Sequence, residues 1–246
     1  MLSFPTNHGQ ISMVKNASVT ERVGRLRKGV FLAGTDTEIG KTYIASLLIR
    51  QLMREGKNPC YYKVALSAGT QDDVMTASEV RYVRETTGLT EPPENLASFT
   101  YHTPVALHLA ARLENNPFNI EKAVQDFQYL SSRYGFIVAE GSGGVVSPLS
   151  DEENVIVLAD VIAALELPVI VVARAGRGTI NHTMLTVAYL RQQGIEVCGI
   201  ILNRFREEKP EHADNHRMIE RLTGLPILAR VAPDAKEISL AEDVFQ

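Results

Sequence analysis

One stretch restricts this chain more than any other: Gly34-Thr-Asp-Thr-Glu-Ile-Gly-Lys-Thr42, placed directly after the apolar run Val30-Phe-Leu-Ala33. A buried strand running into a loop that closes on Gly40-Lys41-Thr42 is the strand–loop–helix unit of a Walker A phosphate site. Backbone N–H groups of such a loop wrap phosphate oxygens, and the positive end of the following helix adds to the attraction. In that reading Lys41 reaches the β/γ-phosphates and the Thr42 hydroxyl is a Mg²⁺ ligand. The start of the loop is a variant. The pattern G-x-x-x-x-G-K-[ST] wants glycine at position 35, where this chain has Thr35 after Gly34, and the first half is acidic through Asp36 and Glu38. A chance Gly-Lys-Thr in a glycine turn is the competing reading, and the position between strand and helix speaks against it.

The rest of the chain repeats the same alternation. Apolar runs at 29–34, 59–65, 136–141, 168–174, 197–203 and 226–231 lack strict period-two patterning, as strands covered on both faces do. Helical patterns fall between them at 42–55, 73–87, 104–114, 120–134, 155–165, 183–194 and 212–223. Gly56, Gly88 and Gly194 stand where helix ends want glycine. This predicts an α/β fold, a doubly wound and mainly parallel sheet with helices on both faces, of the P-loop NTPase type. Residues 1–28 read as a polar lead-in, partly helical around 19–26, and residues 29–246 as a single domain. In such sheets ligands bind at the carboxyl ends of the strands, where most of the motifs fall.

Composition excludes other classes. A net charge of −4 across 246 residues leaves no electrostatic footprint for nucleic acid. No apolar run approaches the roughly 20 residues of a membrane span, and the N-terminus lacks the apolar centre of a signal peptide. Cys60 and Cys198 both lie in apolar segments, which favours buried thiols in a reducing cytoplasm over a disulfide between them.

Further candidate groups follow the strands. Lys63, in Tyr61-Tyr-Lys-Val-Ala-Leu-Ser-Ala-Gly69, sits at or just past the end of the second strand and can neutralise a transferring phosphoryl group or an anionic substrate; an ordinary surface lysine explains it equally well. Asp72 and Asp73 open a helix, where acids are commonly only helix-start residues. Glu140 closes the run 136–140 before Gly141-Ser142-Gly143-Gly144 and resembles a Walker B acid; a hydroxyl, carboxylates and phosphate oxygens are what Mg²⁺ wants. Asn181, at the start of the helical pattern after 178, is explained by capping, and the same helix start can hold an anionic group. Asn203 at the end of its strand either forms a turn or reads a base edge.

Together these words resemble the dethiobiotin synthetase family: Gly34–Thr42, Lys63 after two tyrosines, Glu140-Gly-Ser-Gly-Gly144, Pro148-Leu-Ser-Asp151, Ile180-Asn-His-Thr-Met-Leu-Thr186 and Gly199-Ile-Ile-Leu-Asn203, in the family's order from about 29 to about 234. The acidic loop is the family's habit. The resemblance implies a homodimer of P-loop α/β subunits using ATP, Mg²⁺, CO2 and 7,8-diaminopelargonate. A carbamate of one amine attacks the γ-phosphate, and the second amine displaces phosphate to close a ring. No enzyme nucleophile is needed, consistent with the lack of a convincing Ser-His-Asp or Cys-His set.

By position, the resemblance implies that Lys41 and Lys63 stabilise charge on the γ-phosphoryl group and the carbamate, and that Thr42, Asp73 and Glu140 are the Mg²⁺ ligands. Thr37, Glu38, Ile39, Gly40 and Tyr43 would line the nucleotide site with Gly141, Ser142, Gly143 and Arg204, while Asn203 would contact adenine and 231–234 fall where the family's last nucleotide contacts lie. Ser67 would bind the reacting end of the substrate, Gly144 would be a further substrate contact, and the helix start at Asn181 would receive the distal carboxylate across the dimer. Four departures stand out. Val64 replaces the family's proline, Ala68 is an extra residue before Gly69, Leu107-His108 replaces Pro-His, and Arg204 stands where some members have an acid. The alternative is a regulatory ATPase of the ParA/MinD kind, but those proteins carry a lysine where this loop has Asp36. An amide-forming synthetase of cobyrinate type would need a glutaminase domain, for which there is no room.

Overall fold

A computed structural model of the chain describes residues 29–67, 78–152, 154–241 and 244. The phosphate-loop strand is the centre of the architecture. Strand β1 (Gly29–Gly34) is flanked by β4 (Phe136–Gly144) and β7 (Val169–Arg174), and the full order is β3-β2-β4-β1-β7-β8-β9. Every pairing within this seven-stranded sheet is parallel. The remaining strands are β2 (Pro59–Ser67), β3 (Ala97–Tyr101), β8 (Val197–Asn203) and β9 (Ile227–Val231), and a small antiparallel pair, β5 (Pro148–Ser150) with β6 (Ile156–Val157), stands beside it.

Chain direction explains the layers. From β1 the chain runs outward through α1 (Lys41–Arg54) to β2 and through α2 (Ser78–Thr87) to β3, then returns through α3 (Leu107–Leu113) and α4 (Ile120–Arg133) to β4. It then proceeds the other way through α5 (Leu158–Leu165), α6 (Thr179–Gln192) and α7 (Pro210–Thr223) to the opposite edge. Right-handed crossovers in opposite directions put α1 and α2 on one face and α4 to α7 on the other. The reversal leaves a crevice at the carboxyl ends of β1 and β4. Strands buried on both faces need apolar residues at every position, and β1 and β7 are buried almost throughout.

The predicted doubly wound fold is found, with several boundaries moved. Strand β2 runs on to Ser67, so Lys63 lies inside it rather than at its end, and β4 continues through the glycines to Gly144 rather than closing at Glu140. Helices α3 and α5 begin later than their patterns suggested, at Leu107 and Leu158. The short Ala97-Ser-Phe-Thr-Tyr101 run is an edge strand that the sequence reading passed over. The expected lead-in helix around 19–26 and the acids Asp72 and Asp73 lie outside the described residues. Among the described residues no helix is long and apolar enough to cross a membrane.

Period two within β2 decides what the site receives. Tyr61 and Lys63 face α1 and α2, whereas Tyr62 faces the other way, its hydroxyl sharing a hydrogen bond with Ser98 at 2.6 Å and donating to the Ala123 carbonyl at 2.9 Å. Helix α1 packs its apolar stripe, including Ile44, Leu48 and Leu52, against the sheet. A C-terminal segment crosses its outer side: Gln51 Nε2 donates to the Leu240 carbonyl at 2.9 Å, and Leu240 N–H donates back to Gln51 Oε1 at 3.0 Å. Cys60 and Cys198 are thiols, and burial first, then the Glu91 charge, pushes the Cys60 thiol up to about 12. Truncating Leu48, which is fully buried between α1 and the sheet, removes packed methyl groups where the strands cannot collapse. Leu48→Ala is expected to cost ~2–5 kcal/mol of unfolding free energy, read as a lower urea midpoint.

Candidate active site

Glu140 gathers the site. The sheet register puts it opposite Leu32 of β1 on one side and Lys63 of β2 on the other, so its side chain and that of Lys63 leave the same face as neighbours. Both are fully buried, and Lys63 Nζ lies 2.8 Å from Glu140 Oε1. The same oxygen accepts from the Thr42 hydroxyl at 2.9 Å, and Tyr61 donates to Oε2 at 2.8 Å. Removing either charge from water costs several kcal/mol, so the pair is tolerable only because hydrogen bonds occupy both carboxylate oxygens.

A second carboxylate completes the arrangement. Glu79, in the first turn of α2, places Oε2 2.7 Å from Lys63 Nζ and Oε1 3.4 Å from the Thr42 hydroxyl. Sequence reasoning missed it, because the helix was expected to begin at position 73 and the acids there drew the assignment. The available signal was Ser78-Glu79, a cap-forming residue before an acid, five residues further on. Burial by itself would lower the Lys63 pKa; the charges of Glu140 and Glu79 outweigh it and hold the ammonium above the usual lysine value. Burial would raise the Glu79 carboxyl, and the Lys63 cation overrides this and holds it low.

The loop is built around Lys41. Its ammonium donates to the carbonyls of Asp36 at 3.1 Å and Gly143 at 3.0 Å, closing loop 35–40 onto the end of β4. Gly34 makes room for it, since a Cβ there would stand 2.8 Å from Lys41 Nζ. Gly40 has φ 90°, and a Cβ on it would meet Asn203 Nδ2 at 2.2 Å, so only glycine fits. The acidic half of the loop has two uses. Asp36 accepts from the Thr37 N–H at 2.7 Å and stiffens the turn, whereas Glu38, at φ 52°, is exposed on the cavity wall. Burial, then repulsion from Lys63, lowers the Lys41 pKa to about 8.

A cavity of about 400 Å³ opens above these groups. Of the residues proposed from sequence, Thr37, Glu38, Lys41, Lys63, Ser67, Ser142 and Gly143 line it. Val105, Ala106 and Leu107 form an apolar wall that the sequence did not announce, and Ser147 and Pro148 close another side. Ser142 donates to the Ala65 carbonyl at 2.6 Å, Gly144 N–H donates to the Ser147 hydroxyl at 2.9 Å, and the Gly141 carbonyl lies 3.4 Å from Lys63 Nζ.

Other assigned residues stand differently. Asn203 is buried beneath the loop: its amide donates to the Ile39 carbonyl at 2.7 Å and its Oδ1 accepts from Arg204 N–H at 2.8 Å. It braces the loop in this structure, which neither of the readings made from sequence anticipated. Ile39 is buried and Arg204 is exposed in the left-handed region at φ 56°. Tyr43, on the first turn of α1, donates to the Ala235 carbonyl and ties the helix to the C-terminal segment. Asn181 does not cap α6; Gly178 holds that position, and Asn181 lies exposed in the first turn, away from the cavity-lining residues.

The oxygen set of Thr42, Glu140 and Glu79 has the hard-donor chemistry that Mg²⁺ prefers, and Mg²⁺ needs only one or two carboxylates when phosphates supply the rest. Among the described residues no group of three or more His, Cys, Asp or Glu forms an all-protein metal cage.

A family model described as an AAA domain matches residues 28–238. The chain is 44% identical to an ATP-dependent dethiobiotin synthetase BioD of Clostridium kluyveri over 84% of this chain and 86% of that one. It is 41% identical to the protein of the same name from Clostridium perfringens, over 84% and 91%. The MinC:MinD cell division complex of Aquifex aeolicus aligns with a TM-score of 0.53 at 13% identity, covering 89% of this chain and 84% of that one, which shows a shared fold alone.

The lowered Lys41 pKa has a measurable consequence. A bound triphosphate favours the ammonium and raises its pKa, so binding above pH 8 must take up protons, whereas well below pH 8 the lysine is already charged and uptake vanishes. Calorimetry in buffers of different ionisation enthalpy is expected to show about half a proton taken up near pH 8, lost in Lys41→Met.

Proposed function

This chain belongs to the ATP-dependent dethiobiotin synthetases, ligases that form C–N bonds with ATP as co-substrate, and we propose how its residues divide the work. The observation that carries the proposal is that Lys41 and Lys63, from two different elements, face one cavity beside Thr42, Glu140 and Glu79. One amine of 7,8-diaminopelargonate combines with CO2 to give a carbamate and a proton. A carbamate oxygen attacks the γ-phosphorus as the bond to ADP breaks. The second amine then attacks the carbamoyl carbon, loses a proton and displaces phosphate, closing the five-membered ring.

Every intermediate in this sequence carries more negative charge near the reacting centre than the free diamine does. Lys41 meets that charge from the phosphate side and Lys63 from the β2 side. Their mutual repulsion, which contributes to the lowered Lys41 pKa, is relieved when anions enter. Preorganised cations of this kind need no reorganisation at the moment of transfer. Thr42 and Glu140 would hold Mg²⁺ with Asp73, the third ligand named from sequence, which lies outside the described residues; Glu79 beside Thr42 offers a further carboxylate, and the ion would supply charge neutralisation on the phosphates.

Loop residues Thr37 to Gly40 and the Gly141 to Gly143 turn would surround the phosphates, with Tyr43, Asn203 and Arg204 on the side of the base. Asn203 also fixes the loop at Ile39 through its amide. Ser67 on the cavity wall would meet the reacting end, Gly144 beyond the lining would contact the substrate, and the apolar wall at 105–107 suits the diamine's alkyl chain. Asn181 lies on the exposed start of α6 and would receive the distal carboxylate only from a second subunit, which is the reason for proposing a homodimer. Cytoplasmic residence fits two cysteines in thiol form.

The regulatory-ATPase reading draws only on likeness of fold. The deciding assay is phosphate release from ATP with Mg²⁺ and bicarbonate, with and without the diamine, alongside mass detection of the ring product. Diamine-dependent release with dethiobiotin formed is expected; release indifferent to the diamine would return the switch reading. Lys63→Ala is expected to lower kcat by about 10²–10³-fold in the folded protein, and unchanged turnover would remove the role given to Lys63.

A further inference from the structure

Glu140 has two oxygens and they are used differently. Oε1 faces the chemistry, taking Lys63 and Thr42, while Oε2 turns back into the sheet face and takes the phenol of Tyr61 at 2.8 Å. Tyr61 is fully buried two residues before Lys63 on the same face of β2, so the strand that supplies the cation also supplies the clamp. The phenol is neutral and rigid. Unlike an ammonium it does not compete for a phosphate, and its ring is locked by the surrounding core. Without it, Oε2 would be a charged oxygen in a dry pocket with no hydrogen-bond donor among the described residues, and the carboxylate would gain by rotating toward the cavity.

We infer that Tyr61 is a positioning residue: by holding Oε2 of Glu140 it keeps Oε1 aimed at Thr42 and the magnesium–nucleotide side of the site. This rests on the assignment of Thr42 and Glu140 to Mg²⁺ in the proposed function. Tyr61 touches neither substrate nor nucleotide in this scheme and acts through Glu140 and the neighbouring Thr42 hydroxyl. Partners that orient a metal's carboxylate commonly set affinity by about 10–100-fold.

The adjacent tyrosine provides a matched control. Tyr62 is equally buried, and its hydroxyl is equally engaged, but on the opposite face with Ser98 and Ala123. Tyr61→Phe and Tyr62→Phe therefore delete the same atom from the same strand, one toward the site and one away from it. ADP binding is measured by calorimetry with and without Mg²⁺ on both variants and the parent enzyme, after thermal melts show each folded at the assay temperature. Should Tyr61→Phe be folded only at a lower temperature, all three proteins are titrated there instead.

The expected result is metal-free ADP affinity within about twofold of the parent for both variants, with the Mg²⁺-dependent gain reduced about tenfold in Tyr61→Phe and retained in Tyr62→Phe. A full gain in Tyr61→Phe, or an equal loss in both variants, overturns the inference and leaves the magnesium assignment standing. Absence of any Mg²⁺-dependent gain in the parent enzyme overturns the assignment of Thr42 and Glu140, and the inference with it.

Discussion

The contact on which the rest of this structure depends is the ion pair between Lys63 and Glu140, sealed from water between two neighbouring strands. A buried pair of this kind gives little net stability, because the desolvation of both charges offsets most of their attraction. Its value here is geometric. Parallel register fixes the two residues side by side, and the first turn of α1 is drawn onto Glu140 through Thr42. The helix start, the strand lysine and the acid that follows β1 in space are thereby held as one unit before any ligand arrives.

The two lysines show how one low-dielectric pocket produces opposite outcomes. Lys63 has two carboxylates within contact distance, and they more than repay its burial. Among the described residues Lys41 hydrogen-bonds only to carbonyl oxygens, and burial with the neighbouring cation drives its pKa down to about 8. The difference creates a site with unmet demand for negative charge on the loop side. A phosphate group would satisfy that demand even though the loop carries Asp36 and Glu38. Those acids are turned to other tasks, Asp36 to bracing its own turn and Glu38 to the cavity wall.

Loop geometry is set from outside the loop. Asn203 presses its amide against Gly40 and Ile39 from the end of β8, and Ser147 supports the Gly144 backbone from beyond β4. Tyr43 and Gln51 join α1 to the C-terminal segment through Ala235 and Leu240. Each brace comes from a part of the chain distant in sequence. A phosphate loop must present its N–H groups in a fixed array, and a glycine-containing loop has too much conformational freedom to do so unaided.

What the sequence by itself determined is local. Strand β1 running into Gly40-Lys41-Thr42 required a helix start at a strand end, and the alternation of apolar runs with helical patterns required a doubly wound parallel sheet, because short-range sterics and hydrophobic period are written in consecutive residues. Lys41, Thr42 and Glu140 were legible for the same reason. Only the tertiary structure decided that Lys63 is a buried ion-pair partner rather than a surface lysine, that Asn203 braces the loop, and that Glu79 joins Glu140 as the second carboxylate. Those roles depend on strand register, on where α2 begins and on which side chains are removed from water. All three are set when distant segments pack together, and no window of neighbouring residues encodes them.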